Sequence, residues 1–289
     1  MVRVLATTVV LLATAAPAAA SGGLDCEAED ASVRFAADIG VTRSSGGFFA
    51  GMDSDFSDRW RGGFVTGYGS TGFDGSASSG SADSFHLGAY AGGQGGAFSY
   101  RFGAAWALHQ IDTTRSVSIG AFDETLSAGY NASTAQAFGE IGRAFSHGGT
   151  RFEPHAGFAL VRHHSDGFGE TGGSAALTAA AASETLGVAT LGIRAETEIT
   201  EAFGKTAKLH GGIAWRHAFG DVTPESSMRF AGGNAFTVSG APASRDSIVI
   251  EAGAGVALSD NAALSLDFRG EIGGAVRDGT VRAGLSARF

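Results

Sequence analysis

The sequence predicts an all-β protein, a single twelve-stranded antiparallel transmembrane β-barrel with short periplasmic turns and longer extracellular loops. Three observations predict it. First, the carboxy-terminal stretch alternates strictly: Val281, Ala283, Leu285, Ala287 and Phe289 are apolar, and Arg282, Gly284, Ser286 and Arg288 lie between them. Alternation sends one set of side chains to each face of a strand, and a strand divided in this way needs partners divided the same way. Second, the connections between such segments alternate short and long along the chain. Third, apolar residues make up 44% of the chain, yet no internal run approaches the roughly 20 residues that a membrane helix requires. Only helices and closed barrels satisfy the backbone inside lipid, so a membrane protein without such a run is a barrel.

The amino terminus comes first in the chain. Arg3 is followed by an apolar run from Val4 to about Leu12 and then by Ala15-Ala16-Pro17-Ala18-Ala19-Ala20. A basic start, a short apolar core and a small-x-small end define a secretory signal peptide, with cleavage expected after Ala20. Residues 1–20 are therefore expected to direct the chain out of the cytoplasm, and residues 21–30 to form a short polar periplasmic segment. Cys26 is the single cysteine, which excludes an intramolecular disulfide. Gly23-Leu24-Asp25 before it is no lipid-attachment sequence.

From residue 31 onward, strands are predicted over 31–43, 46–54, 60–74, 82–94, 97–113, 128–145, 150–164, 183–199, 205–220, 246–258, 261–272 and 279–289. Most reach the roughly 9–11 residues that a tilted membrane strand needs. The connections Ser57-Asp58-Arg59, Gly95-Gly96, His147-Gly148-Gly149, Thr200 to Gly204 and Ser259-Asp260 are short. Those at about 114–127, 165–182 and 221–245 are long. Short turns on one side, long loops on the other and an even strand number are the pattern of bacterial outer-membrane barrels, with both termini in the periplasm. Met228 to Val238 could form a further strand, but that would break the parity, so it is expected to belong to one folded outer loop.

Facing follows from parity. Phe98, Tyr100, Phe102, Ala104, Trp106 and Leu108 share one face of their strand, opposite Ser99, Arg101, Gly103, Ala105 and His109. Ile248, Ile250, Ala252, Ala254, Val256 and Leu258 oppose Val249, Glu251, Gly253 and Gly255. Leu264, Leu266 and Phe268 oppose Ser265, Asp267, Arg269 and Glu271. A soluble barrel would turn the apolar face inward; the signal peptide, the loop parity and the aromatic terminus favour apolar-out. Phe48, Trp60, Phe145, Phe152, Phe219 and Phe289 fit aromatic girdles at the two interfaces. The other face then lines a hydrated lumen with charges of both signs: Arg101, Glu140, Arg194, Arg216, Glu251, Asp267, Arg269, Glu271 and Arg282, together with Gln136, Glu153, Glu196 and Arg288. At membrane depth such charges must pair or meet water.

Composition narrows the function classes. Glycine is abundant at 46 and proline scarce at 4, which suits strands with tight turns rather than disordered or collagen-like chain. The formal charge of −9 argues against nucleic acid, which calls for a basic patch. Gly167-Phe168-Gly169-Glu170-Thr171-Gly172 matches G-x-G-x-x-G, but a dinucleotide site needs a parallel βαβ unit around it. Gly69-Ser70-Thr71-Gly72 lacks the glycine of a nucleophile elbow, because Tyr68 stands there. His163, His164 and Asp166 could ligate a metal, yet adjacent strand residues point to opposite faces. His109, Asp112, His163 and Asp221 lie near outer strand ends, where a rim enzyme would hold its acid–base groups. The expectation is no catalytic site, no cofactor and no metal.

Several ordered segments carry a resemblance. They are Gly46-Gly47-Phe48-Phe49-Ala50-Gly51-Met52-Asp53, Trp60-Arg61-Gly62-Gly63-Phe64, Leu87-Gly88-Ala89-Tyr90 and Ile111-Asp112-Thr113-Thr114-Arg115. Gly139-Glu140-Ile141-Gly142, Phe152-Glu153-Pro154-His155-Ala156-Gly157 and Gly172-Gly173-Ser174-Ala175-Ala176-Leu177 follow. Leu191-Gly192-Ile193-Arg194, Trp215-Arg216-His217-Ala218-Phe219-Gly220-Asp221 and the end at Phe289 close the series. In this order and spacing, residues 31–289 resemble the C-terminal β-domain of the autotransporter family. The resemblance implies a twelve-stranded barrel in the bacterial outer membrane, a translocator that supports passenger export by type V secretion. It implies an assembly signal in Val281, Ala283, Leu285, Ala287 and Phe289, read by the outer-membrane barrel assembly machinery. Outer-membrane lipid is the other implied partner. In the family a helix threads the lumen and joins passenger to barrel. Here about ten residues separate Ala20 from the first strand. At 1.5 Å per residue they are too few to thread a core of about 30 Å as a helix. The expectation is a translocator domain without its passenger; the alternative is a passive pore or structural barrel.

Overall fold

The computed structural model describes residues 42–75, 77–202, 205–259, 262–274 and 277–287, and every regular element among them is a strand. In chain order these are β1 (Thr42–Ser57), β2 (Trp60–Asp74), β3 (Ser78–Gly95), β4 (Phe98–Ile119), β5 (Phe122–Arg143) and β6 (Phe145–His147). Then come β7 (Thr150–Ser165), β8 (Phe168–Gly169), β9 (Leu177–Ala179), β10 (Ala182–Ala202) and β11 (Lys205–Gly220). The last are β12 (Glu225–Phe230), β13 (Phe236–Ser239), β14 (Asp246–Ser259), β15 (Ala262–Gly273) and β16 (Arg277–Ala287).

Eleven long strands form one antiparallel sheet in the order β1-β2-β3-β4-β5-β7-β10-β11-β14-β15-β16. Short β6 continues β5 past Ala144 and pairs with β7, Phe145 opposite Phe152. Each long strand answers to one predicted from the sequence. The first predicted strand, 31–43, lies outside the described residues except for its last two positions. The signal peptide, the 21–30 segment, Arg288 and Phe289 also lie outside them.

The two faces of the sheet meet different surroundings. Phe64, Phe85, Leu87, Phe102, Trp106, Leu191, Leu266 and Val281 are all exposed on one face. On the other, Ser99, His109, Thr134, Glu153, His155 and Ser247 are buried. The sheet curls around the polar face. Arg101 of β4 reaches Glu153 of β7 across the intervening β5, and Arg216 of β11 reaches Glu271 of β15 across β14. The side chains of this face crowd together and are buried, whereas those of the other face stay exposed. The apolar face is therefore the convex one, and an exposed convex apolar belt is stable only against lipid. Aromatic rings line up along its edges: Phe56–Trp60–Tyr100–Phe102 near the short turns, and Phe158–Phe219 toward the opposite rim.

The three long connections differ from expectation. Residues 114–127 are not a loop. β4 and β5 stay paired from Phe98↔Arg143 to Ile119↔Phe122, and Gly120 at φ 63° makes the turn, a conformation that a side chain resists. With 22 residues each, these strands rise about 50 Å at a 45° tilt, against a hydrocarbon core of about 30 Å. The hairpin therefore stands well clear of the membrane. Nor are residues 165–182 and 221–245 open loops. Met228 to Val238 stays out of the main sheet, as parity requires, but forms part of β12, β13 and their turn. With β8 and β9 these make a separate four-stranded antiparallel sheet in the order β13-β12-β9-β8.

Candidate functional site

The concave face carries three groups of polar side chains, each placed by strand parity. Near the short turns, Arg101 donates to Glu140 at 2.5 Å and to Glu153 at 2.9 Å. Arg194 holds both oxygens of Glu140, at 2.9 and 2.5 Å, and lies 3.6 Å from Glu153. Ser99 donates to Glu153 at 2.9 Å and Arg151 approaches it at 3.3 Å. Three guanidinium groups thus share two carboxylates across β4, β5, β7 and β10. Gly142 makes room for them: a Cβ there would stand 2.6 Å from Glu153 Oε1 and 2.8 Å from Ser99 Oγ.

The second group lies across β11, β14, β15 and β16. Arg216 donates to Glu271 at 2.6 Å, and Ser247 donates to the other oxygen of that carboxylate at 2.7 Å. Arg269 pairs with Glu251 on the neighbouring strand. Asp267 stands opposite Arg282 in register and meets His210 at 2.9 Å. Of the charges named from the sequence as lumenal, Arg101, Glu140, Arg194, Arg216, Glu251, Asp267, Arg269, Glu271 and Arg282 stand on this face by parity. Seven of these nine make ion pairs with one another or with Glu153, Asp267 meets the His210 ring, and Arg282 is placed by its register.

The third group was not foreseen. Ser84 Oγ lies 2.8 Å from His109 Nδ1, His109 Nε2 lies 3.1 Å from Thr134 Oγ1, and that hydroxyl lies 3.0 Å from His163 Nδ1. The hydrogen-bonded row runs across β3, β4, β5 and β7. Its signal in the sequence was the parity of His109 and His163, but four single residues on four strands declare no adjacency. Of the four rim candidates, His109 and His163 come together through Thr134, whereas Asp112 faces the other way and Asp221 accepts from the Thr185 backbone N–H at 2.7 Å. His163 and His164 point to opposite faces, the latter to Ser183 at 2.8 Å and Asp166 at 3.4 Å. No metal-holding cluster occurs among the described residues. Gly167 to Gly172 leads into β9, a strand rather than a helix. Other inner pairs escaped the sequence reading: Arg61 with Asp55 at 2.9 Å, and Arg115 with Glu170.

Of the proposed assembly residues, Val281 and Leu285 are 57% and 71% exposed on the convex face of β16. Ala283 shares that face and is also exposed. Ala287 ends the strand.

A curled antiparallel sheet with an apolar convex belt and an ionic concave wall defines the class: an outer-membrane β-barrel. The comparisons with known proteins agree. The family model described as autotransporter beta-domain matches residues 35–269. An extracellular serine protease of Serratia marcescens is 35% identical over 252 residues, which are 86% of this chain and 24% of that protein. The chain thus spans about a quarter of the length of the curated relatives it matches. Among solved structures, the translocator domain of autotransporter NalP from Neisseria meningitidis superposes with a TM-score of 0.66 at 16% identity, covering 86% of this chain and 82% of that one. The beta domain of the Bordetella autotransporter BrkA gives a TM-score of 0.57 at 19% identity, covering 86% and 92%. The chain belongs to the autotransporter β-domain family and is an outer-membrane barrel of the translocator type.

Proposed function

We propose that this barrel supports the export of a polypeptide joined to its amino-terminal side, carrying it from periplasm to cell surface. The family match over residues 35–269 carries this reading. The curled sheet supports it: the barrel embeds by its apolar convex face, and its ionic wall keeps the interior wet. In this reading residues 1–20 are cleaved after Ala20 on the way to the periplasm. The assembly machinery engages the terminal strand through Val281, Ala283, Leu285, Ala287 and Phe289. The barrel itself has no catalytic role and takes no cofactor.

The test is display. A reporter domain placed after Ala20 through a flexible linker becomes accessible to antibody and protease on intact cells. A barrel that inserts, shown by heat-modifiable migration of the outer-membrane fraction, but leaves the reporter inside would replace the export reading with a passive pore. Two smaller parts are checked separately. Amino-terminal sequencing of the mature chain begins at Ser21, and deletion of Phe289 lowers the inserted fraction. Normal insertion without Phe289 would remove the terminal residue from the assembly signal.

A further inference from the structure

The four-stranded sheet is the upward continuation of four adjacent strands of the wall. β8 follows β7, β9 precedes β10, β12 follows β11 and β13 precedes β14. The small sheet runs β8-β9-β12-β13 and the wall beneath it runs β7-β10-β11-β14, the same sequence of neighbours. Between each pair the strand is interrupted, at 166–167, 180–181, 221–224 and 240–245. Four breaks side by side form a line across the wall, and a sheet broken along a line can change direction there.

The part above the line has one dry face. Leu177, Ala179 and Met228 are at most 5% exposed and pack with Phe168 and Val238. The wall reaches this height on one side only: β1 to β3 and β14 to β16 end or begin near the level of the breaks. An apolar face standing alone in water is covered only if the segment leans over the mouth.

The contacts hold it there. Thr171 continues the sheet beside Ser127 above the end of β7, with backbone hydrogen bonds of 2.9 and 2.8 Å. From that edge the chain is gripped by residues of concave parity on β4 and β5. Phe168 stacks on Tyr130 with centroids 4.5 Å apart. Arg115 holds both oxygens of Glu170, at 3.0 and 2.5 Å, and donates to the Ala175 carbonyl at 3.0 Å. Glu124 accepts from the Ser174 backbone N–H, the Ser174 hydroxyl and the Ala175 N–H, each at 2.9 Å. The Arg115 and Glu170 side chains are only 14% and 8% exposed, so losing one strands the other in a poorly hydrated place.

We propose that this sheet is a flap closed over the outer mouth of the barrel, hinged along the four breaks and latched by Arg115 and Glu170 to the tall β4–β5 hairpin. It restricts the resting lumen whether or not the barrel exports a polypeptide, so its test is independent of the display experiment. The mature chain is refolded into planar bilayers and its conductance measured in potassium chloride. Arg115→Glu sets two carboxylates against each other at the latch and raises the resting conductance several-fold. The double variant Arg115→Glu/Glu170→Arg rebuilds the pair in reverse and returns the conductance to the parental level. Replacement of residues 168–179 by a short glycine–serine linker removes the grip without touching the barrel strands and also raises it. Heat-modifiable migration selects the folded fraction of every variant. Parental conductance in folded Arg115→Glu and in the linker variant would overturn the flap. High conductance in the double variant, with the linker variant also open, would overturn the latch as assigned.

Discussion

β4 and β5 pass through two regions with opposite polarity. In the lower part, Phe98, Phe102, Trp106 and Leu108 face outward and are 41–50% exposed, while Arg101 and His109 face inward. Above Gln110 the pattern inverts: Asp112, Thr114, Ser116 and Ser118 face outward, and Ile111, Leu126 and Ala128 are buried inward at 7%, 0% and 8% exposure. The strand does not slip; its parity is continuous through the register. What changes is the solvent. Lipid takes apolar groups on the outside and leaves charges to the water-filled centre, whereas water above the bilayer drives apolar groups inward, where the small sheet packs against the hairpin. One pair of strands is thus a membrane protein in its lower half and a soluble one in its upper half.

The largest effect that would break this comparison comes from a charge on the belt. Ala104→Arg puts a guanidinium near the middle of the lipid-facing span, between Phe98 and Leu108, at a cost of about 2–4 kcal/mol. The inserted fraction on heat-modifiable gels should fall sharply. Ile119→Arg, at a tip position already 72% exposed, should leave insertion unchanged. Equal loss in both would mean that the two halves meet the same solvent.

Next comes the dry interior of the upper half. Leu126→Ala opens a cavity at a cost of roughly 2–3 kcal/mol. The loss should stay local: residues 166–181 gain protease sensitivity and lose hydrogen-exchange protection, while barrel insertion is retained. Loss of insertion would show that the upper half is not a separate unit.

The wet interior of the lower half should respond less. Glu153→Gln removes the carboxylate that Arg101, Arg151 and Arg194 share with Ser99. The amide keeps one acceptor oxygen and Glu140 still pairs with Arg101 and Arg194, so about 1–2 kcal/mol is expected, read as a lower urea midpoint in vesicles. Smallest is the Lys208–Glu198 pair, whose side chains are 61% and 59% exposed. Lys208→Ala should change stability by less than about 1 kcal/mol.

The lower half was legible in the sequence because its signal is local. Ile248, Ile250 and Ala252 against Val249, Glu251 and Gly253 state the two faces within six residues, and lipid on one side makes the alternation clean. The upper half was legible only in part. Residues 114–127 were expected to be a loop because their apolar positions are sparse and fall on the opposite parity from Phe98 to Leu108. A reversal of phase at Gln110 was the available signal. Met228 to Val238 was rightly kept out of the wall, but its pairing with β9 joins segments about fifty residues apart, and no local pattern encodes that. The ionic wall was half readable: parity placed Arg101, Glu140 and Arg194 on one face, while Arg115 and Glu170 went unseen because both were assigned to loops.

By itself the sequence determined that this chain forms two-faced strands in a fixed order with lipid on one side. Side-chain alternation and the demand for backbone hydrogen bonds in lipid act residue by residue. Only the tertiary structure decided which charges meet and what covers the rim. Arg101 finds Glu153 because the sheet is curved enough to bring strands β4 and β7 within reach. The flap exists because four neighbouring strands break at one height and lean together. Curvature and shared height are properties of the assembled sheet, and no single strand carries them.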